Sequence, residues 1–205
     1  MTLAFHLKER CSRRWLRLVR GLRATLPATV LAALPALVAC GGPSEPALKL
    51  ELGTLDPAEP TAFRFLPLSD DMQVQLAGGA QGGFHIWTLY RVHGNTIDRR
   101  LRVRRFIERL GPGGKRDRIL TGEGSEHIPA ESPWELLTPI PSFVCPTPLG
   151  VNALDAPLEL KVRFEDTADA SVALAEAAVR VTADCPPAMA GDTQREFCMS
   201  ICVGK

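Results

Sequence analysis

Recognisable catalytic signatures are missing from this sequence. It contains no GxSxG nucleophile turn, no HExxH zinc helix and no closely spaced pair of carboxylates on an evident scaffold. Its four histidines also lack the spacing of metal ligands. These absences leave a site assembled from distant residues open, but they favour a non-enzymatic protein without a metal or cofactor.

The sequence also lacks an apolar run long enough to span a membrane. Residues 24–39 read ATLPATVLAALPALVA, which is shorter than the about 20 apolar residues that a spanning helix needs. Pro27 and Pro35 each remove a helix hydrogen bond from this stretch. Seven basic residues and a single acid precede it, so residues 1–39 have the pattern of a signal peptide.

The end of this stretch carries a more specific motif. Residues 37–40, LVAC, resemble the lipobox of bacterial lipoproteins, and the resemblance implies cleavage before Cys40 and acylation of its thiol. Gly41 in the next position favours the outer membrane, by analogy with lipoprotein sorting. An ordinary signal peptide or an uncleaved anchor is the alternative, and both still place the domain outside the cytoplasm. We therefore expect a lipid-anchored protein of the cell envelope.

Cleavage at Cys40 changes the charge of the chain. It removes seven basic residues and one acidic residue, so the formal net charge falls from +1 to −5. Because a negatively charged chain is repelled by phosphate backbones, the acidic mature chain argues against a nucleic-acid partner.

Four cysteines remain after Cys40: Cys145, Cys185, Cys198 and Cys202. In an oxidising compartment four cysteines predict two disulfides. On a helix, Cys198 and Cys202 would lie one turn apart and point poorly at each other, so we expect each to pair with Cys145 or Cys185. A thiol-redox or copper-binding CxxxC pair is the alternative use of the last two cysteines.

The mature chain reads as a tether followed by one all-β domain. Residues 40–60 are rich in Gly, Pro and acids and predict a flexible tether. From residue 61 to 205 apolar residues recur with a period of two, as in Leu158, Leu160, Val162 and Phe164. About seven such strands predict an antiparallel β-sandwich, with a short disulfide-tied helix at the C-terminus. The closing hairpin, at residues 158–183, resembles the last two strands of immunoglobulin-like domains, which implies an immunoglobulin-like sandwich. A small closed β-barrel is the alternative.

A glycine-rich segment, GGAQGGFHIW at residues 78–87, precedes a strongly apolar strand. It resembles a QGGxHxW segment of uncharacterised secreted or lipid-anchored bacterial proteins, which implies no activity. A phosphate-binding glycine loop needs a helix directly behind it, whereas a strand follows here. A tight turn is therefore the simpler interpretation, with Gln81 and His85 as candidate binding residues. A copper or zinc site shared by His85 and His93 is excluded on a straight strand, which would separate them by roughly 26 Å.

Basic residues are concentrated between positions 91 and 118, a segment that contains ten basic residues and three acidic ones. Arg100, Arg102 and Arg104 alternate along one predicted strand and should share one sheet face. Such a face is a candidate site for an acidic glycan, a lipid phosphate or an acidic envelope protein. Alternatively, acidic residues on neighbouring strands neutralise these arginines, and the face is an ordinary solvated surface. We expect a non-enzymatic binding or structural module, with a periplasmic metal-binding or thiol-redox protein as the alternative.

Overall fold

The computed structural model describes residues 48–56, 61–96, 98–136, 138–170, 172–187 and 193–205. All of them belong to one unit, Ser44–Lys205. The expected signal peptide, the lipobox and Cys40 lie outside the described residues and stay predictions.

The described part of the chain contains eleven strands, one α-helix and one short 3₁₀ helix, Pro112–Gly114. Seven of the strands have six or more residues, in line with the expected number. The elements are β1 Lys49–Leu55, β2 Phe65–Pro67, β3 Met72–Gln75, β4 Ala77–Gly78, β5 Phe84–His93, β6 Arg99–Leu110, β7 Arg116–Ile128, β8 Trp134–Glu135, β9 Ile140–Cys145, β10 Leu158–Asp166, β11 Ala173–Asp184 and α1 Gln194–Ile201.

The strands form two open sheets that pack face to face. The first sheet has the order β2-β1-β5-β4, with β8 and β9 also pairing with β5, and the second has the order β3-β11-β10-β6-β7. Within each sheet, neighbouring strands pair antiparallel, except that β3 and β11 are parallel. The predicted antiparallel β-sandwich is therefore confirmed, and the closed-barrel alternative is wrong because both sheets have edges.

Alternation of apolar and polar residues explains how the sheets bury one face each. In β10, Leu158, Leu160, Val162 and Phe164 are at most 2 % exposed, while the residues between them face outward. The inward residues of both sheets form one core, in which the Tyr90 and Phe164 rings meet edge to face, 5.4 Å apart. Strand β5 is buried on both faces over most of its length, as a central strand should be.

The predicted boundary between tether and domain is wrong. Strand β1 lies inside the stretch expected to be a tether, and Leu50 and Leu52 belong to the core. β1 pairs antiparallel with β5 through residues 49–53, so it is one of the central strands of the first sheet. The alternation Leu48, Leu50, Leu52 was thus a strand signal and not part of a linker.

Two disulfides hold the C-terminal segment to the sandwich. Cys145 at the end of β9 is bonded to Cys202, and Cys185 after β11 is bonded to Cys198 in α1. The expected pattern, in which Cys198 and Cys202 each pair with an upstream cysteine, is confirmed. Thr193 occupies the N-cap position of α1 without a side-chain capping bond.

Candidate functional site

The three arginines singled out by their spacing do share one face. Arg100, Arg102 and Arg104 point away from the core, whereas Leu101 and Val103 between them are at most 2 % exposed. We call the outer surface of strands β6, β7, β10 and β11 the charged face. It carries eight basic side chains, Arg100, Arg102, Arg104, Arg116, Arg118, Lys161, Arg163 and Arg180, and six acidic ones, Glu108, Glu123, Glu159, Glu165, Glu176 and Asp184.

Cross-strand register brings most of these charges into ion pairs. Arg102 Nη2 lies 2.6 Å from Glu123 Oε1 on β7, and Lys161 Nζ lies 2.7 Å from Glu176 Oε1 on β11. At the other end of the face, Glu108 accepts from Arg116 and Arg118, and Arg116 also pairs with Glu159. These two arginines hold the pKa of the Glu108 carboxyl below its usual range. The face is therefore a mixed network with a basic excess.

Five of the ten basic residues between positions 91 and 118 lie on this face. Arg91 belongs to β5 of the other sheet, and Arg105 and Arg109 point to the opposite side of β6. Arg105 Nη1 donates to the Pro141 carbonyl at 3.5 Å, and Arg109 pairs with Asp155 at 2.8 Å. The strand period sends alternate residues to opposite faces, so a charge count along the sequence overestimated the local field.

Glu165 is the one acid of the charged face that is fully buried. Its carboxylate has 1 % side-chain exposure and lies 3.2 Å from Arg163 Nε and 3.7 Å from Arg104 Nη1. A buried carboxylate is stable only beside compensating charge, so these two arginines are required where they are. Both remain 31–39 % exposed, so each still presents guanidinium N–H groups to solvent.

Arg100 differs from its neighbours. It is exposed, and it forms no ion pair with any residue that the structure describes. Phe106, two positions beyond Arg104, lies beneath two guanidinium groups, with the Arg104 and Arg118 carbons 5.3 and 4.8 Å from its ring centroid. The part of the charged face around Arg100, Arg102 and Arg104 is thus rich in exposed guanidinium groups. Of these three, Arg104 is positioned by the Phe106 ring and by the buried Glu165.

The glycine-rich segment forms the tight turn that its sequence predicts. Gly79 N–H donates to the Gly83 carbonyl at 2.7 Å, and Gly82 has φ +80°, a conformation that favours glycine. Gln81 is exposed in this turn, whereas His85 is 3 % exposed on the strand behind it. The two candidates therefore have opposite environments, and both lie on the sheet opposite the charged face.

His85 lies in an aromatic environment. Its ring is 4.3 Å from that of Trp87 and 5.5 Å from that of Phe143, centroid to centroid. Neither ring nitrogen has a hydrogen-bond partner among the described residues. Burial lowers the pKa of the imidazole, so the neutral ring is favoured. His93 lies at the far end of β5, so the two histidines share no site.

Within the described residues, the one group of His, Cys, Asp or Glu close enough to share a metal ion is Cys185, Cys198 and Cys202. Their ligand atoms lie within 4.8 Å of one another. All three sulfurs are engaged in the disulfides and are at most 1 % exposed. A disulfide sulfur offers no thiolate, and metals and exchange partners need an accessible thiolate.

No family model matches the chain, and no curated protein and no solved structure is significantly similar to it. In the described part of the chain, no helix has the length and apolar character needed to cross a bilayer.

Proposed function

We propose that this chain is a lipid-anchored cell-envelope protein whose sandwich is a non-enzymatic binding module for an acidic envelope polymer. The observation that supports this most is the alignment of Arg100, Arg102 and Arg104 on an exposed strand face with a basic excess. Acidic glycans and phosphate-bearing lipids are the ligands whose chemistry suits such a face.

The spacing of the arginines favours a repeating ligand over a single small anion. Alternate residues of a strand are about 6.6 Å apart, so the three guanidinium groups span about 13 Å along β6. A polymer with regularly placed negative groups can engage all three. Arg100 is the residue best able to bind first, because it has no ion pair among the described residues to break.

The paired arginines contribute less per residue than Arg100. Arg102 must exchange Glu123 for the ligand, and exposed ion pairs of this kind are worth about 0.2 to 1 kcal/mol. That cost is small enough for a polyanion to displace the glutamate. Binding should therefore be salt-sensitive, since the face is solvent-exposed and screened within a Debye length.

A charge-matched pair of variants tests the proposal. The triple variant Arg100→Gln/Arg102→Gln/Arg104→Gln removes three positive charges from the face, and because Arg104 also lies beside the buried Glu165, urea unfolding first checks that this variant remains folded. The control Lys49→Gln/Arg64→Gln/Lys115→Gln removes three exposed charges elsewhere. The probes are polygalacturonate and vesicles containing phosphatidylglycerol. We expect the triple variant to weaken binding of at least one probe by about tenfold or more and the control to change it by less than about twofold.

Equal losses in the two variants would mean that only net charge matters, and unchanged binding of both probes would end the proposal for this face. The anchor is tested separately by intact mass and membrane fractionation of the native protein and of Cys40→Ser. The lipid should be absent from the variant, and the variant should leave the membrane fraction.

The periplasmic metal-binding or thiol-redox alternative draws less support from the geometry. His85 belongs to no cluster of metal-ligating side chains among the described residues, and the clustered cysteines are oxidised and buried. A thiol count on the native, unreduced protein separates the two: free thiols at Cys198 and Cys202 would revive the alternative.

A further inference from the structure

An open groove runs along one side of the sandwich, between β1 of the first sheet and β11 of the second. Its volume is about 520 Å³, within the range of sites that hold ligands. Its lining includes Leu50, Leu52, Leu68, Ala177, Ala178 and Val179. Most of the lining side chains are apolar, and the two alanines leave the space unfilled.

Strand β11 presents unpaired main-chain groups to this groove. The N–H of Arg180 donates to Asp70 Oδ1, and the carbonyl of Arg180 accepts from Asp71 N–H, both at 2.8 Å. The peptide groups of Arg180 therefore point to the edge of β11 that borders the groove. Because alternate residues of a strand direct these groups the same way, those of Glu176 and Ala178 point there too. β3 pairs only with residues 181–184, and no described residue bonds the edge at 176 and 178.

The opposite wall of the groove has a similar edge. The Leu52 carbonyl accepts from Leu68 N–H at 2.9 Å, which sets the direction of the peptide groups on that side of β1. By the same alternation Leu50 directs its N–H and C=O toward the groove, beyond the end of the pairing with β2. Two strand edges thus border one apolar space.

The two edges of the second sheet are protected very differently. β7, at one edge, is interrupted by Gly122 and Gly124 and carries charges along its length, which discourages pairing with another chain. The open stretch of β11, residues 173–178, reads ALAEAA and has a single charge and neither proline nor glycine. An unprotected edge beside an apolar groove is the arrangement that accepts an added strand.

We propose that this groove binds an extended segment of another polypeptide, with apolar side chains at alternate positions. The segment pairs through its backbone with Glu176 and Ala178 of β11. Its alternate side chains enter the space between Leu50 and Leu52 on one wall and Ala177 on the other. This site is separate from the charged face and stands whether or not that face binds polyanions.

A second copy of this chain fits the edge less well. If two β11 strands paired with Glu176 opposite Ala178, Leu174 of one copy would lie opposite Arg180 of the other. Asp70 and Asp71 already occupy that position through their bonds to Arg180. A free extended segment can end before this point, whereas β11 of a second copy continues through it.

Hydrogen exchange on the full-length protein tests the proposal, with the peptide acetyl-Thr-Val-Thr-Val-Thr-Val-amide as the probe. We expect saturable slowing of the Glu176 and Ala178 amides by about tenfold or more. The same peptide methylated on alternate backbone nitrogens keeps its side chains but cannot pair, and it should have no effect. Ala177→Leu, which fills the groove, should abolish the slowing, whereas Ser125→Leu on β7 should not.

Three results would overturn the proposal. The first is no slowing at millimolar peptide. The second is slow exchange at both amides without peptide and at every protein concentration, which would mean that the chain itself covers the edge. The third is slowing that grows with protein concentration alone, which would make a second copy the occupant. The methylated peptide keeps the test decisive on the unmodified protein should Ala177→Leu fail to fold.

Discussion

Removing the two disulfides one at a time should destabilise the sandwich by different amounts. The Cys145–Cys202 bond closes a sequence separation of 57 residues, and Cys185–Cys198 closes one of 13. A cross-link lowers the entropy of the unfolded chain in proportion to the logarithm of the loop it closes. This relation predicts about 4 kcal/mol for the longer loop and about 3 kcal/mol for the shorter one.

The comparison isolates loop length because the two bonds have matching environments. All four cysteines are at most 1 % exposed, so replacing either pair by alanine removes two buried sulfurs. The packing cost is therefore similar in Cys145→Ala/Cys202→Ala and in Cys185→Ala/Cys198→Ala. The difference of about 1 kcal/mol between the two variants should come from the unfolded state.

Equilibrium unfolding in urea measures both values. We expect the midpoint to fall further for Cys145→Ala/Cys202→Ala than for the other pair, with both variants still folding cooperatively. Under full reduction, the original chain should be less stable than either variant without reductant. If loss of the 13-residue bond costs as much as loss of the 57-residue bond, or more, loop entropy is not the source of the stabilisation.

Three further substitutions follow from the contacts. His85→Phe should flatten the loss of stability as the pH falls from 7 to 5, because burial lowers the pKa of the native imidazole and the unfolded chain therefore takes up the proton first. Urea unfolding across that range measures the change, and an unaltered pH dependence in the variant would contradict it. Glu165→Gln should lower the free energy of unfolding, measured in urea at low salt, by about 1 to 3 kcal/mol. An unchanged free energy would mean that Arg104 and Arg163 need no counter-charge. Gly83→Ala should lower the free energy of unfolding by about 1 to 3 kcal/mol, because a Cβ there would lie 2.8 Å from a carbonyl oxygen of β9. Gly124→Ala has open space around the new Cβ and should raise the free energy of unfolding by about 0.5 kcal/mol, so equal thermal midpoints for the two variants would refute the clash.

The sequence predicted those parts of the fold that depend on local alternation. Leu158, Leu160, Val162 and Phe164 alternate with charged residues, and this pattern alone identifies a half-buried strand. The pairing of Cys198 and Cys202 with upstream partners followed similarly from the direction of side chains on one helical turn.

Features that depend on long-range pairing were not predictable in this way. The short alternation in β1 became a core strand only through its pairing with β5, about 40 residues later. The ion pair between Arg102 and Glu123 likewise depends on the register of β6 against β7. Nothing in the period of β10 distinguished Glu165 from the exposed residues of the same face, because its burial comes from arginines on two strands.

The position of β1 has a practical consequence for anyone who shortens this chain. A version that starts at Thr61, directly after the predicted tether, would lack the strand that pairs with residues 89–93. It would expose the edge of β5 together with the apolar side chains that Leu50 and Leu52 cover, which invites aggregation. Soluble versions should therefore begin upstream of Leu48, and a protease cut between residues 48 and 55 should unfold the sandwich instead of releasing it intact.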